Sequence, residues 1–131
     1  MKFTKSQEKV LFDFSAQEKL VKDFLQKNKN AKPKQIVSSF AKAMKNGFEF
    51  IHSFTSKITD DLKFHKDGDI TVDTYAANSI LKFVKKNIFL NAYSHQILNN
   101  KKITPKFLKE ELIDWFQKNE KPAKFILKFI K

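Results

Sequence analysis

Apolar residues recur every three or four positions along most of the chain, which is the spacing of amphipathic helices. Gly47 lies on the apolar side of the clearest run, directly after Asn46. This glycine predicts either a close contact with a neighbouring helix or a C-terminal cap that divides the run into two helices. The run extends from Pro33 to about Thr59, and its stripe consists of Ile36, Val37, Phe40, Met44, Phe48, Ile51, Phe54 and Ile58.

Two shorter helices are predicted before this run, over residues 5–13 and 16–28. The first begins at Thr4 or Ser6. Ser15 and Glu18 form a capping box, which predicts a fresh helix start at Ser15.

Three further helices are predicted in the second half of the chain. A long helix begins at Asp73 or Thr74 and ends near Leu98, and we expect it to be the central, most buried helix because it is apolar on more than one side. Thr104 as N-cap and Pro105 at the first helical position begin a helix that ends near Lys118. A final helix covers about 121–130.

The segment between the two longest helices has a different pattern. Asp67-Gly68 separates two short alternating runs, residues 62–64 and 70–72, which predicts a small β-hairpin near residues 62–72. A length of 131 residues and a hydrophobic content of 41% suffice for one core, and two glycines are too few for a sandwich or barrel. We therefore predict a mainly α fold: a compact bundle of about six to seven helices with one small hairpin, in a single domain over residues 1–131.

The order of elements over residues 16–73 resembles that of winged-helix proteins. It consists of a helix, a turn, a helix with a possible break at Gly47, a further helix and a hairpin. The resemblance covers fewer than half the residues. It implies DNA binding, with the segment after Gly47 in the recognition position and residues 62–72 as the wing.

Charge adds a strong preference for polyanionic partners. The chain contains 26 lysines, no arginine and 14 acidic residues, for a net charge of +12. The codon bias of an AT-rich genome can explain lysine in place of arginine, but it does not explain the excess of cations. Such an excess favours nucleic acid, an anionic membrane surface or an acidic protein.

The cationic excess falls into two blocks that contain no acidic residue, one between Asp23 and Glu49 and the other between Asp73 and Glu110. Tyr93 shares a flank of the second block's helix with lysines and Phe89, and such rings can stack on bases while lysines bind phosphates. The candidate nucleic-acid-binding residues are Lys27, Lys29, Lys32, Lys34, Lys42, Lys45, Lys82, Lys85, Lys86, Tyr93, Lys101 and Lys102.

Each of these features also has an ordinary structural interpretation. Phe89 and Tyr93 can instead pack under neighbouring helices, with the lysines solvating the edge. The loops over residues 27–34 and 99–102 either place lysines and a helix N-terminus against phosphate or form solvated turns. Without arginine, bidentate recognition of guanine is not available, so we expect salt-sensitive binding with low sequence specificity.

The sequence shows no pattern typical of an enzyme, a metal site or a cofactor site. There is no cysteine and no HxxxH or HExxH spacing, and His95 is expected on the core side of its helix together with Asn91. Neither glycine belongs to a phosphate-binding or dinucleotide-binding motif. Glu110, Glu111 and Asp114 are expected to be solvated partners of nearby lysines rather than a catalytic pair.

We therefore expect a non-catalytic protein that binds DNA or RNA phosphates. The alternative is a small interaction module, such as an inhibitor, an immunity-type protein or a complex subunit, that docks on an acidic protein. Membrane contact through residues 121–131 is not expected, because docking on the bundle explains that amphipathic helix. The charged N-terminal segment and the lack of an 18-residue apolar run predict a cytoplasmic protein.

Overall fold

The fold is a helical bundle, seen in a computed structural model that describes residues 2–61 and 70–130. No strand occurs among these residues, and the predicted mainly helical class is confirmed. In chain order, the helices are α1 (Lys5–Leu11), α2 (Ser15–Lys27), α3 (Pro33–Asp61), α4 (Ile70–Asn99), α5 (Pro105–Lys118) and α6 (Glu120–Phe129).

Helix α4 lies at the centre of the bundle and packs against α2, α3, α5 and α6. Its sequence is apolar on several sides, so each neighbour finds an apolar surface on which to pack. The predicted central position of this helix is therefore confirmed. Its buried apolar residues are Ala76, Ala77, Ile80, Leu81, Val84, Phe89, Leu90 and Ala92.

Helices α3 and α4 form an antiparallel pair. The Phe40 ring lies 6.0 Å from Tyr93, and the Phe50 ring lies 4.3 Å from Phe83, so residue numbers fall along α4 as they rise along α3. By this register the first turn of α3 is level with the last turn of α4. The loops next to these two turns therefore lie at the same end of the bundle.

Gly47 allows the close approach of α3 to α4. An ideal Cβ at this position would lie only 2.5 Å from Oδ1 of Asn87, which is 3% exposed. Helix α3 continues through Gly47 without a break, so the close-contact interpretation is confirmed and the division into two helices is wrong. The winged-helix resemblance fails at the same point, since no separate recognition helix begins after Gly47.

The predicted β-hairpin is not supported. Residues 70–72, its second strand, form the first turn of α4. The first strand, residues 62–64, and the turn at Asp67-Gly68 lie outside the described residues. Intrinsic strand propensity is a weak signal in so short a run, so its β-branched residues do not prevent α4 from starting there.

The predicted number of six to seven helices is not supported as stated. Within residues 2–61 and 70–130, five helices have ten residues or more, and α1 adds only two turns. A break at Gly47, one of the two alternatives, would have added a helix, but α3 is continuous over Pro33–Asp61.

The start of α2 differs from the predicted capping box. Ser15 is the first helical residue, and the N-cap is Phe14, whose side chain forms no cap. Oδ1 of Asp13 instead accepts a hydrogen bond from the Ser15 N–H, at 3.0 Å. Hydrogen bonds from the Ser15 side chain and backbone lower the pKa of Asp13 below its usual value. The carboxylate of Asp13 thus accepts a hydrogen bond from the first turn of α2, a role that was expected of the Ser15 hydroxyl.

We predict that Gly47→Ala lowers the free energy of unfolding by about 1–3 kcal/mol, because the added methyl group overpacks the contact with Asn87. In an Asn87→Ala background the same change should be neutral or stabilising by up to about 1 kcal/mol, since alanine is the better helix former. Urea denaturation of the four proteins completes the double-mutant cycle. If Gly47→Ala changed the free energy of unfolding equally in the two backgrounds, the Asn87 side chain would not be the cause of the change.

Candidate functional site

The two lysine-rich loops lie at the same end of the bundle, where α2 and α4 end and α3 and α5 begin. The C-terminal part of α2 also lies at this end, as shown by Leu25, which borders the same cleft as Gln96 and Ile103. The antiparallel α3–α4 pair places residues 28–32 beside residues 100–104. We call this region the lysine end. Its exposed cations are Lys27, Lys29, Lys32, Lys34, Lys101, Lys102 and Lys106.

Two helix N-termini contribute positive electrostatic potential at the lysine end. Pro33 and Pro105 occupy the first positions of α3 and α5, as predicted. Oγ1 of Thr104 accepts a hydrogen bond from the Phe107 N–H, at 3.2 Å. The N–H groups of Gln35 and Ile36 donate to the Lys32 carbonyl oxygen. The dipole of each helix adds a partial positive charge at its N-terminus.

The stretches of sequence that form the lysine end contain no carboxylate, although Glu18 of α2 borders the same cleft as Thr104 and Pro105. The neighbouring stretches are the two acid-free blocks, and the nearest acidic residues along the chain are Asp23 and Glu110. Asp23 lies about one turn before the end of α2, and Glu110 lies a little more than one turn after the start of α5. The cations at this end are therefore not neutralised by neighbours in the chain, and they repel one another at low ionic strength.

Four of the candidate lysines lie along the sides of helices rather than at the lysine end. Lys42, Lys45 and Lys82 are exposed, and Lys86 is half-buried with its Nζ 5.9 Å from the centre of the Phe83 ring. Lys82 is about 25 Å from the end of α4, at a rise of about 1.5 Å per residue. The structure thus brings together the loop lysines of both blocks but not their helical lysines.

Lys85 belongs to the core and not to a binding surface. It is 7% exposed, and its Nζ donates hydrogen bonds to the carbonyl oxygens of Val10, at 2.9 Å, and of Asp13. Nζ also lies 5.1 Å from the centre of the Phe14 ring. Burial lowers the pKa of Lys85, while the charge of Asp13 opposes that shift. The prediction that Lys85 is a nucleic-acid ligand does not fit this position.

The aromatic residues proposed for base stacking are used in packing. Phe89 is buried and Tyr93 is half-buried, and their rings stack with centres 6.2 Å apart. The Tyr93 ring also contacts Phe40 edge-on. The alternative interpretation, in which these rings pack under neighbouring helices, agrees with the structure.

His95 does not occupy the expected core position. Both His95 and Asn91 are exposed. Nδ1 of His95 lies 3.4 Å from Nδ2 of Asn99, one turn away. In the part of the chain that the structure describes, no three histidine or acidic side chains come close enough to hold a metal ion.

Sequence reasoning missed two apolar residues beside the loop lysines. Leu98 and Phe107 are both exposed at the lysine end. Phe107 lies next to Lys106, in the first turn of α5. The signal was present in the sequence, because Phe107 falls outside the buried stripe of Leu108 and Leu112.

A second surface feature lies between α3 and α5, over α4. This α3–α5 cleft has a volume of about 700 Å³. Apolar side chains form its walls, and Asn87 and Asn91 belong to its floor. Trp115 of α5 and Phe48 of α3 are the aromatic residues of the walls. The charged residues of its rim are Lys45, Glu49, Glu111, Asp114 and Lys118.

Helix α6 docks on the bundle through its apolar side. Ala123, Phe125 and Ile126 are buried, whereas Lys124 and Lys128 are exposed. Among the described helices, none is both long enough and apolar enough to span a bilayer.

We predict that Lys85→Met destabilises the protein by about 1–3 kcal/mol, because two part-buried carbonyl oxygens lose their donor. Lys82→Met removes the same charge from an exposed position and should change stability by less than about 0.5 kcal/mol. Urea denaturation measures both. Since the pKa of Lys85 is lowered, the advantage of the wild type over Lys85→Met should grow as the pH rises toward 10.5.

Comparison with known proteins gives no relative for this chain: no protein family, no curated protein and no solved structure matches it.

Proposed function

We propose that this is a non-catalytic protein that binds DNA or RNA through the phosphates, using the lysine end. The observation behind the proposal is that loop lysines from both acid-free blocks lie together with the N-termini of α3 and α5. Lysine ammonium groups and free backbone N–H groups are both donors to phosphate oxygens. Each lysine that neutralises a phosphate also releases a counterion, which strengthens binding at low salt.

The chemistry of the lysine end limits the kind of binding. Lysine acts as a point charge and does not form the planar two-pronged contact that arginine makes with guanine. Binding should therefore depend on the number of phosphates more than on the base sequence. Phe107 supplies an exposed ring on which one base of a single strand can stack.

The first experiment measures fluorescence anisotropy of labelled single-stranded and duplex DNA and RNA over a salt series. The double variant Lys29→Glu/Lys102→Glu changes one residue in each loop and leaves every helix intact. We expect it to bind at least about tenfold more weakly than the wild type and to reduce the slope of log K against log salt by about two or more.

The matched control is Lys5→Glu/Lys121→Glu, which changes the net charge equally at two exposed positions outside the acid-free blocks. If binding occurs at the lysine end, the control retains most of the affinity. Equal losses in the two variants would show that only net charge matters. If the protein binds none of the four nucleic acids at low salt, the proposal is wrong.

An acidic protein is the second candidate partner. The observation that favours it is that Leu98 and Phe107 are both exposed at the lysine end, since protein interfaces combine apolar and charged residues. As an interaction module of this kind, the protein would present the lysine end to carboxylates of its partner.

Capture from nuclease-treated lysate separates the two candidates. A protein partner should remain bound after nuclease treatment and should be lost when the bait is Lys29→Glu/Lys102→Glu. Phe107→Ala should also release it, because the apolar centre of an interface supplies much of the affinity. A captured protein that binds both variants as well as it binds the wild type would not be using the lysine end.

A further inference from the structure

The α3–α5 cleft reverses the charge balance of the rest of the protein. The whole chain has 26 lysines and 14 acidic residues, but three of the five charged residues on the rim are carboxylates. Asp114 pairs with Lys118 at 2.9 Å, and no ion pair joins Glu49 or Glu111 to a lysine among the described residues. These carboxylates repel phosphates, so the cleft is unsuited to the nucleic-acid partner proposed for the lysine end.

The walls of the cleft leave apolar surface open to water. Phe48 is 54% exposed, and the half-buried Trp115 faces the same space from α5. Met44 and Ile51 extend the α3 wall on either side of Phe48. An exposed aromatic residue within an apolar cleft, bordered by charges, is typical of a surface that binds another protein.

The floor offers little to a small polar ligand. Both side-chain polar atoms of Asn87 are buried and have no hydrogen-bond partner among the described residues. They press against Gly47 and are not accessible to a molecule in the cleft. Asn91 is the exposed amide of the floor. Recognition at this cleft therefore depends on its apolar walls and on the charges of its rim.

We propose that a second copy of this chain occupies the α3–α5 cleft, in a two-fold symmetric dimer. In such a dimer the same surface meets itself, so it must be complementary to itself. The rim fulfils this condition because it has lysines and carboxylates on both α3 and α5. Lysines of each copy can then face carboxylates of the other, while the two Phe48 rings cover the apolar walls.

Charge favours a second copy at this surface over the lysine-rich surfaces of the described residues. Two molecules of charge +12 repel each other wherever lysines predominate. At the cleft, carboxylates offset that repulsion, so this surface permits close approach of an identical, basic molecule. This inference is independent of the proposed nucleic-acid binding.

Sedimentation velocity of nuclease-treated protein, from micromolar to millimolar concentration, tests the dimer. We expect a dimer that forms as concentration rises and that becomes stronger with added salt, because salt screens the repulsion between two cationic chains. Nucleic-acid binding should weaken with salt. Failure of one proposal is therefore distinguishable from failure of the other. A protein that stays monomeric at every concentration and salt would overturn the dimer.

Phe48→Glu should abolish the dimer, because it places an additional carboxylate in the α3 wall of the cleft of each copy. Leu20→Glu makes the same chemical change at another exposed apolar position, 48% exposed on α2, and should leave the dimer unchanged. Circular dichroism checks that both variants fold. A Phe48→Glu protein that dimerises as well as the wild type would place the interface elsewhere and overturn the proposal.

Tryptophan fluorescence gives a second readout at the cleft itself. Trp115 is the single tryptophan of the chain and lies in the wall of the cleft. Dilution should shift its emission to longer wavelength as the dimer dissociates and water reaches the ring. Phe48→Glu should show the dissociated spectrum at all concentrations. An emission spectrum that stays constant while the sedimentation coefficient changes would also argue against an interface at this cleft.

Discussion

Burial of α4 on several sides is the constraint on which the rest of the structure depends. A helix with apolar residues around most of its surface is stable only when other helices cover it, and α2, α3, α5 and α6 all do so. Because each outer helix packs on α4, the positions of the outer helices relative to one another follow from their contacts with it. The close contact of Gly47 with Asn87 adds a fixed register between α3 and α4.

That arrangement explains how residues far apart in sequence come to share one surface. The lysine loops before α3 and after α4 are separated by about 70 residues, and the antiparallel pairing brings them to one end. The same pairing leaves a gap between α3 and α5, which becomes the cleft. The two surfaces differ in charge, since the loops of the lysine end contain no carboxylate and the rim of the α3–α5 cleft has three. A division of roles between them is consistent with that difference.

Local signals in the sequence were sufficient for most helix boundaries. Pro33 and the pair Thr104-Pro105 begin their helices as predicted, because capping and proline geometry act within one turn. Features that depend on distant partners could not be obtained in this way. The role of Gly47 depends on Asn87, and the burial of Lys85 depends on carbonyl groups more than 70 positions earlier. The convergence of the loop lysines required the pairing of α3 with α4.

The chemical identity of the cations has a consequence beyond electrostatics. Because the chain has no arginine, each side-chain cation of the lysine end is a primary amine, and acetylation removes the charge of a lysine completely. The seven exposed amines of that end are open to such chemistry, whereas Lys85 is shielded by the packing around it. Amine acylation would therefore neutralise the surface of the protein while sparing the one ammonium group that the core needs. Acylation of the lysine end would thus change its charge and leave the hydrogen bonds of Lys85 in place.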